Sequence, residues 1–333
     1  MPVNIKRIAT ILILLSTLLA LAWWGLKDQI PARRAEGWTT INPPHEISAL
    51  AVAGDIIWAG GRDGVYTIDR RQKKMLSRLE SEPQLAYVKA LLVDQNGDLW
   101  IGYEKGLICY NGREFLYYGT KDGLPHENVN ALLLDDKGRL WVGTWGGAAC
   151  WTGEKWQVYN QASGLAHDAV NVLFQDCYGS MWFGSYAAPE GGLTHYDGQQ
   201  FTRFNSDNVL PHNNICSIYQ DSANDLWVGT GFYTRGGAVR FSFENGKPVF
   251  KEEWTKKNGL AGEKVRSIFQ DRSGVYWFGS EYDGVARWDG ASIKIYTKKN
   301  GMSSNEVKVW LEDQEGNLWM GTDDGITVMP NGS

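Results

Sequence analysis

The sequence predicts an all-β fold, a seven-bladed β-propeller of four-stranded blades, and three observations carry that prediction. One phrase recurs seven times: an Asp turn, then Trp-x-Gly, then a Gly-apolar pair. Its tryptophans, Trp58, Trp100, Trp141, Trp182, Trp227, Trp277 and Trp319, are spaced 42, 41, 41, 45, 50 and 42 residues apart, which is the period of one propeller blade. The chain also sets 39 Gly beside 16 Trp, 15 Tyr and 11 Phe in 333 residues. That pairing suits short strands and tight turns. It disfavours a helical bundle, where each interior Gly costs about 1 kcal/mol relative to Ala.

The elements follow in chain order. Residues 1–7 read as a cytoplasmic tail ending in Lys6 and Arg7. Residues 8–26 carry no charge and nearly span a hydrocarbon core of roughly 30 Å. They form a signal anchor, with Trp23 and Trp24 at the interface, or a signal peptide cleaved near Ala20 and Ala22. Residues 27–36 are a short tether, and residues 37–333 are the propeller. This arrangement predicts a membrane-tethered propeller on the periplasmic side of the inner membrane.

Within each unit, strand A is an alternating run such as 129–134. An Asp-x-x-Gly turn follows, as at 135–138, where Asp bonds its own downstream backbone and Gly supplies positive φ. Strand B carries Trp-x-Gly; its indole is expected between neighbouring blades, and its Gly admits a second backbone. Strand C ends near Tyr110-Asn111-Gly112 or Tyr196-Asp197-Gly198, strong hairpin signals. Strand D is the aromatic run, as at 115–118, 156–159, 201–204 and 293–296. The last unit stops at strand C, and residues 37–42 resemble an orphan strand D. The two ends therefore predict a ring closed by residues 37–42 in the seventh blade, with no frayed edge.

Composition excludes several functions. A net charge of −5 supplies no basic field for nucleic acid. Four Cys in this length are not a disulfide scaffold. Without a C-x-x-C pair they support neither zinc nor redox chemistry. Cys109 and Cys150 occupy the same strand-C position in adjacent blades and read as small buried residues, with pairing left open. Asp94 to Asp98 resembles the start of a calcium loop, but Lys105 stands where Glu is needed. No nucleophile elbow, phosphate loop or carboxylate pair is present. No cofactor, metal or catalytic residue is assigned.

The repeat, with Asp-x-x-Gly-x-Leu-Trp-x-Gly-Thr, Gly-Leu, Tyr-Asp-Gly and Asp-Gly-Leu-Pro, resembles the two-component regulator propeller repeat over residues 37–329. That resemblance implies a periplasmic ligand-sensing propeller, often for glycans. Such sensors continue into a further β domain, a membrane span and a histidine kinase. The present chain ends four residues after its last predicted strand, so signalling is expected to pass through a separate membrane protein.

Loops carry the predicted site. Three D-to-A loops place His126, His167 and His212 at one repeated position, with His45 in nearly the same loop. Gly262 and Ser304 replace them in later blades. The three histidines are expected along an arc at the channel mouth, as ligand contacts, as a metal patch or as inherited turn residues. The B-to-C loops add an aromatic rim: Tyr103, Trp145, Tyr186, Phe232, Tyr233 and Tyr282, with Arg235. Two of these loops, 186–191 and 231–236, read as longer than the rest. The rim suits sugar rings or a protein partner, or it caps the blade ends. The predicted function is ligand or protein binding without chemistry. The alternatives are a metal-assisted lyase like the virginiamycin B lyase family and a structural assembly factor of the cell envelope.

Overall fold

Asp at the A–B turn sets each blade. In the third blade Asp135 Oδ1 accepts the backbone N–H groups of Lys137 (3.0 Å) and Arg139 (2.8 Å), and Oδ2 accepts the Trp141 indole N–H at 2.9 Å. One carboxylate thus closes the turn and fixes the indole of the next strand. The bond recurs from Asp94 to Trp100, Asp176 to Trp182, Asp221 to Trp227, Asp271 to Trp277 and Asp313 to Trp319, at 2.8–2.9 Å. The first blade has Val52 at this point and Trp58 stays half-buried. The calcium-like stretch at Asp94 is one of these turns, since Asp94 Oδ1 accepts from Asn96 and Asp98.

The computed structural model describes residues 37–81 and 84–332. They fold into seven four-stranded antiparallel sheets. In the third, strand A is Val129–Leu134, B is Leu140–Thr144, C is Gly147–Trp151 and D is Trp156–Tyr159. All of strand B is buried, whereas the middle of strand D is exposed. Strand B has neighbouring blades on both faces, so it reads as a near-continuous apolar run rather than an alternating one. Each A strand touches the A strands on either side, forming a closed inner ring.

The glycine of Trp-x-Gly explains how blades meet. A Cβ on Gly102 would lie 2.6 Å from Val129 Cγ1, and one on Gly184 would lie 2.6 Å from Ile215 Cγ2. The same glycine faces Val88, Val170, Val265, Val307 and Ile47 at the other five junctions. Every blade therefore pushes a bare backbone against a β-branched residue at, or two residues before, the start of the next strand A.

The ring closes as the ends predicted. Thr39–Ile41 is the fourth strand of the last sheet, pairing Thr39 with Val328 and Ile41 with Ile326. Trp38 and Ile41 are buried, and Trp38 lies 5.5 Å from Tyr296 of the sixth blade. At the junction between the last and first blades Arg70, whose side chain is 1% exposed, pairs with Asp55 of the first blade and Glu315 of the last.

The structure corrects one loop. Residues 231–236 form the tip of a continuous hairpin: strand B runs Leu226–Phe232 and strand C runs Arg235–Glu244. Only Tyr233 and Thr234 turn the chain, with Tyr233 at φ 48°. The 50-residue spacing comes from these lengthened strands and from strand D, Lys247–Trp254. The four cysteines are free thiols. Burial pushes the Cys109 and Cys150 thiols up to about 11, so both stay protonated. The predicted tail, membrane segment and tether, residues 1–36, lie outside the described residues. Among the described residues no helix is long and apolar enough to cross a membrane.

Candidate ligand-binding funnel

The repeated Gly–Val/Ile contact has a consequence one residue further on. The residue after each β-branched anchor faces the propeller axis: Ser48, Lys89, Asn130, Asn171, Cys216, Arg266 and Lys308. All seven line one cavity of about 540 Å³ at the end where D–A and B–C loops meet. In blades three to seven a β-bulge turns this residue inward. Val129 pairs with Thr144 and Ala131 with Gly143, leaving Asn130 as the extra residue, and the slip repeats at Asn171, Cys216, Arg266 and Lys308. A bulge re-aims a side chain without ending the strand.

The ring is polar but not uniform. Asn130 and Asn171 donate to Val170 O and Ile215 O of the next blade, at 3.1 and 3.4 Å. On the other side the lining residues Glu46, Arg62, Arg266 and Lys308 are charged, and further charges stand behind them. Glu46 receives both Arg62 and Lys308, each at 2.6 Å. Arg266 pairs with Glu306 at 3.2 Å, and Lys264, 4% exposed, pairs with Glu281 at 2.8 Å. Lys89 has no carboxylate partner among the described residues; it donates to Asn128 and, at 2.9 Å, to Asn130.

Burial shapes the titration of these groups. It pushes the Lys89 ammonium below its ordinary value, with Glu104 pulling weakly the other way. Burial likewise raises the Glu306 carboxyl, against Lys308 and Arg266. For Glu46 burial also acts upward, but Lys308 and Arg62 outweigh it and hold the carboxyl low. The Cys216 thiol is pushed up by burial and stays protonated.

Of the rim residues expected from sequence, Trp145 and Tyr186 line the cavity. Trp145 is 54% exposed and stands between Lys89, whose Nζ is 4.9 Å from the ring centroid, and His126 at 6.1 Å. Tyr186 accepts from Lys264 Nζ at 3.1 Å. Phe232 packs against Tyr186, His212 and Tyr233, so these four form one aromatic group beside the mouth. Phe232, Tyr233 and Tyr282 are exposed, as is Arg235 opposite Phe232 in the hairpin tip. Tyr103 differs from them: it is 5% exposed and packs in the core between the first two blades. It offers no platform at the rim.

The histidines close turns. His126, His167 and His212 each use Nδ1 to accept the backbone N–H two residues on, Asn128, Ala169 and Asn214, at 2.9–3.0 Å. Ser304 does the same for Glu306 with its hydroxyl at 3.1 Å. Each ring is therefore an Asx-turn mimic, with Nε2 carrying the proton. Burial, then Arg235 and Lys264, lower the His212 pKa, which keeps Nδ1 free to accept. Among the described residues no three His, Cys, Asp or Glu side chains converge as a metal-binding group.

Sequence reasoning found the loops but missed the ring. The signal was present: Ser48, Lys89, Asn130, Asn171, Arg266 and Lys308 each follow the Val or Ile that packs on a Trp-x-Gly glycine, with Cys216 at that place in the fifth unit. A second cavity, about 380 Å³, opens on the opposite face between blades two and three, lined by Trp100, Tyr118, Trp151 and Trp156. The Trp156 indole N–H is buried there without a partner.

The two-component regulator propeller profile matches residues 123–146, 209–232, 259–282 and 301–324. These four segments carry two-component regulator propeller repeats. Each matched repeat runs from the D–A turn through strands A and B to the B–C bend. It thus contains the turn residue, the ring residue, the Asp–Trp pair and the rim position together. No curated protein matches the chain in sequence. Among solved structures, the extracellular domains of two hybrid two-component systems of B. thetaiotaomicron are similar in fold. One is 21% identical with a TM-score of 0.75 over 89% of this chain and 41% of its own. The other is 19% identical with a TM-score of 0.71 over 89% and 40%. The chain therefore spans about two fifths of those structures. Virginiamycin B lyase of Staphylococcus aureus is also similar, at 14% identity and a TM-score of 0.65 over 87% of this chain and 98% of its own.

Proposed function

We propose that the chain is an exported ligand-binding propeller that takes a small hydroxylated ligand, an oligosaccharide, into the axial funnel, and that it performs no chemistry. The carrying observation is the funnel itself: seven inward-turned residues at one repeat position, floored by amides and charges and flanked by Trp145 and Tyr186. Concave sites with aromatic walls and a few convergent polar groups are the usual form of small-ligand sites. The repeats and the likeness to extracellular domains of hybrid two-component systems support a sensing role. Residues 8–26 would hold the propeller at the outer face of the inner membrane, and a separate membrane protein would receive the signal. The exposed Phe232, Tyr233, Arg235 and Tyr282 are the surface proposed for that protein.

The test is a glycan array probed with the full chain and with the double variant Trp145→Ala, Tyr186→Ala. Retention of one glycan class by the wild type, lost in the variant at unchanged melting temperature, is the expected result. Identical array profiles would remove the funnel as the site.

A second reading is a metal-assisted lyase, favoured by the fold likeness to virginiamycin B lyase. It requires the three turn histidines to offer Nε2 to one ion, while their Nδ1 atoms are engaged with backbone amides.

A further inference from the structure

The charge around the funnel is lopsided. Arg62, Lys89, Arg266 and Lys308 face it, and two carboxylates answer them: Glu46 is shared by Arg62 and Lys308, and Glu306 pairs with Arg266. Lys89 is left over. Its ammonium is held by amide oxygens of Asn128 and Asn130 rather than by a carboxylate, and Glu104 acts on it only through space. This excess sits in a chain whose net charge is −5, so it is local to the funnel and not a property of the surface. A half-buried ammonium that has surrendered water without gaining a counter-charge is costly, and burial lowers its pKa accordingly. Such a group gains most from an arriving anion, because the charge-assisted bond forms where water is already partly excluded.

The neighbour of Lys89 says what else the ligand carries. Trp145, 54% exposed, stands against the same ammonium. An indole offers an apolar face to a pyranose ring, and Asn130 and Asn171 supply amides for hydroxyls across the cavity. We infer that the funnel selects an acidic sugar, a pyranose bearing one carboxylate or sulfate group, with Lys89 as its anion contact and Trp145 as its stacking face. This rests on the funnel being the ligand site.

The experiment is calorimetric titration of the full chain in detergent at low salt with digalacturonate, sulfated digalactose and neutral digalactose. The expected result is binding of at least one acidic disaccharide about tenfold or more tighter than the neutral one, a preference that weakens as salt rises. Lys89→Met removes that preference and Lys89→Arg keeps it. Equal affinity for acidic and neutral sugars overturns the inference, as does acidic binding that survives Lys89→Met, or the absence of binding to all three. A further variant separates the two claims. If Trp145→Ala abolishes sugar binding while Lys89→Met does nothing, the funnel stands and its acidic preference falls. If neither variant alters the binding of a sugar that does bind, the funnel falls as well.

Discussion

One carboxylate oxygen pair holds the turn and the tryptophan of six blades, and its chemistry can be titrated. The Asp135 side chain is fully buried. Burial acts to raise its pKa, but the Trp141 indole, the Arg139 backbone amide and the Arg139 guanidinium outweigh it and leave the pKa below the ordinary 3.8. A carboxyl that is more acidic folded than unfolded stabilises the fold above its unfolded pKa and loses that contribution as pH falls through the folded value. Asp313 is lowered in the same way. Asp135→Asn is therefore expected to cost about 2 kcal/mol at pH 7 and to flatten the decline in stability below about pH 4. Urea unfolding of both proteins from pH 7 to pH 3 checks this; parallel curves would contradict it. Sequence made the Asp and Trp visible as separate signals. Their bond was not, because a six-residue offset across a turn belongs to neither the strand nor the helix period. The ring residues were hidden for a related reason. A strict two-residue alternation assigns Asn130 or Lys89 to an ordinary strand face, and a bulge breaks that alternation locally.

At the scale of the element, the closing strand is the piece whose removal says most. Sequence showed it through arithmetic: a last blade lacking strand D and an N-terminal strand with no blade. Thr39–Ile41 completes the ladder beside Gly325–Met329, and Trp38 and Ile41 cover the sixth- and first-blade sides of that junction. Deleting residues 37–42 from the full chain exposes a strand edge and two hydrophobic clusters at once. Differential scanning calorimetry should then show the main transition shifted down by about 10 °C or more, or lost as a single cooperative event. A transition unchanged from the full chain would contradict closure by this strand. The D–A turns were legible as loops but not as to purpose. That a histidine can accept a backbone N–H as Asn or Ser does depends on ring tautomer and torsion, which spacing does not reveal.

For the whole molecule, repetition explains why the fold was readable and the specificity was not. Seven copies of Trp-x-Gly and of the Val/Ile it faces repeat one contact around the axis, and any copy announces the others. Specificity lies where the copies differ, at one ring position and one bend per blade. The differences matter only once the ring closes and brings residues 48 and 308 into one cavity. Two cavities then compete for the ligand: the axial funnel with Lys89 and Trp145, and the tryptophan cleft on the opposite face with Trp151 and Trp156. The most direct test is a crystal structure of the full chain with its tightest-binding oligosaccharide. A sugar stacked on Trp145 with an anionic group on Lys89 Nζ is expected, and a sugar seated between Trp100, Trp151 and Trp156 with the funnel holding only water would rule out the funnel as the site.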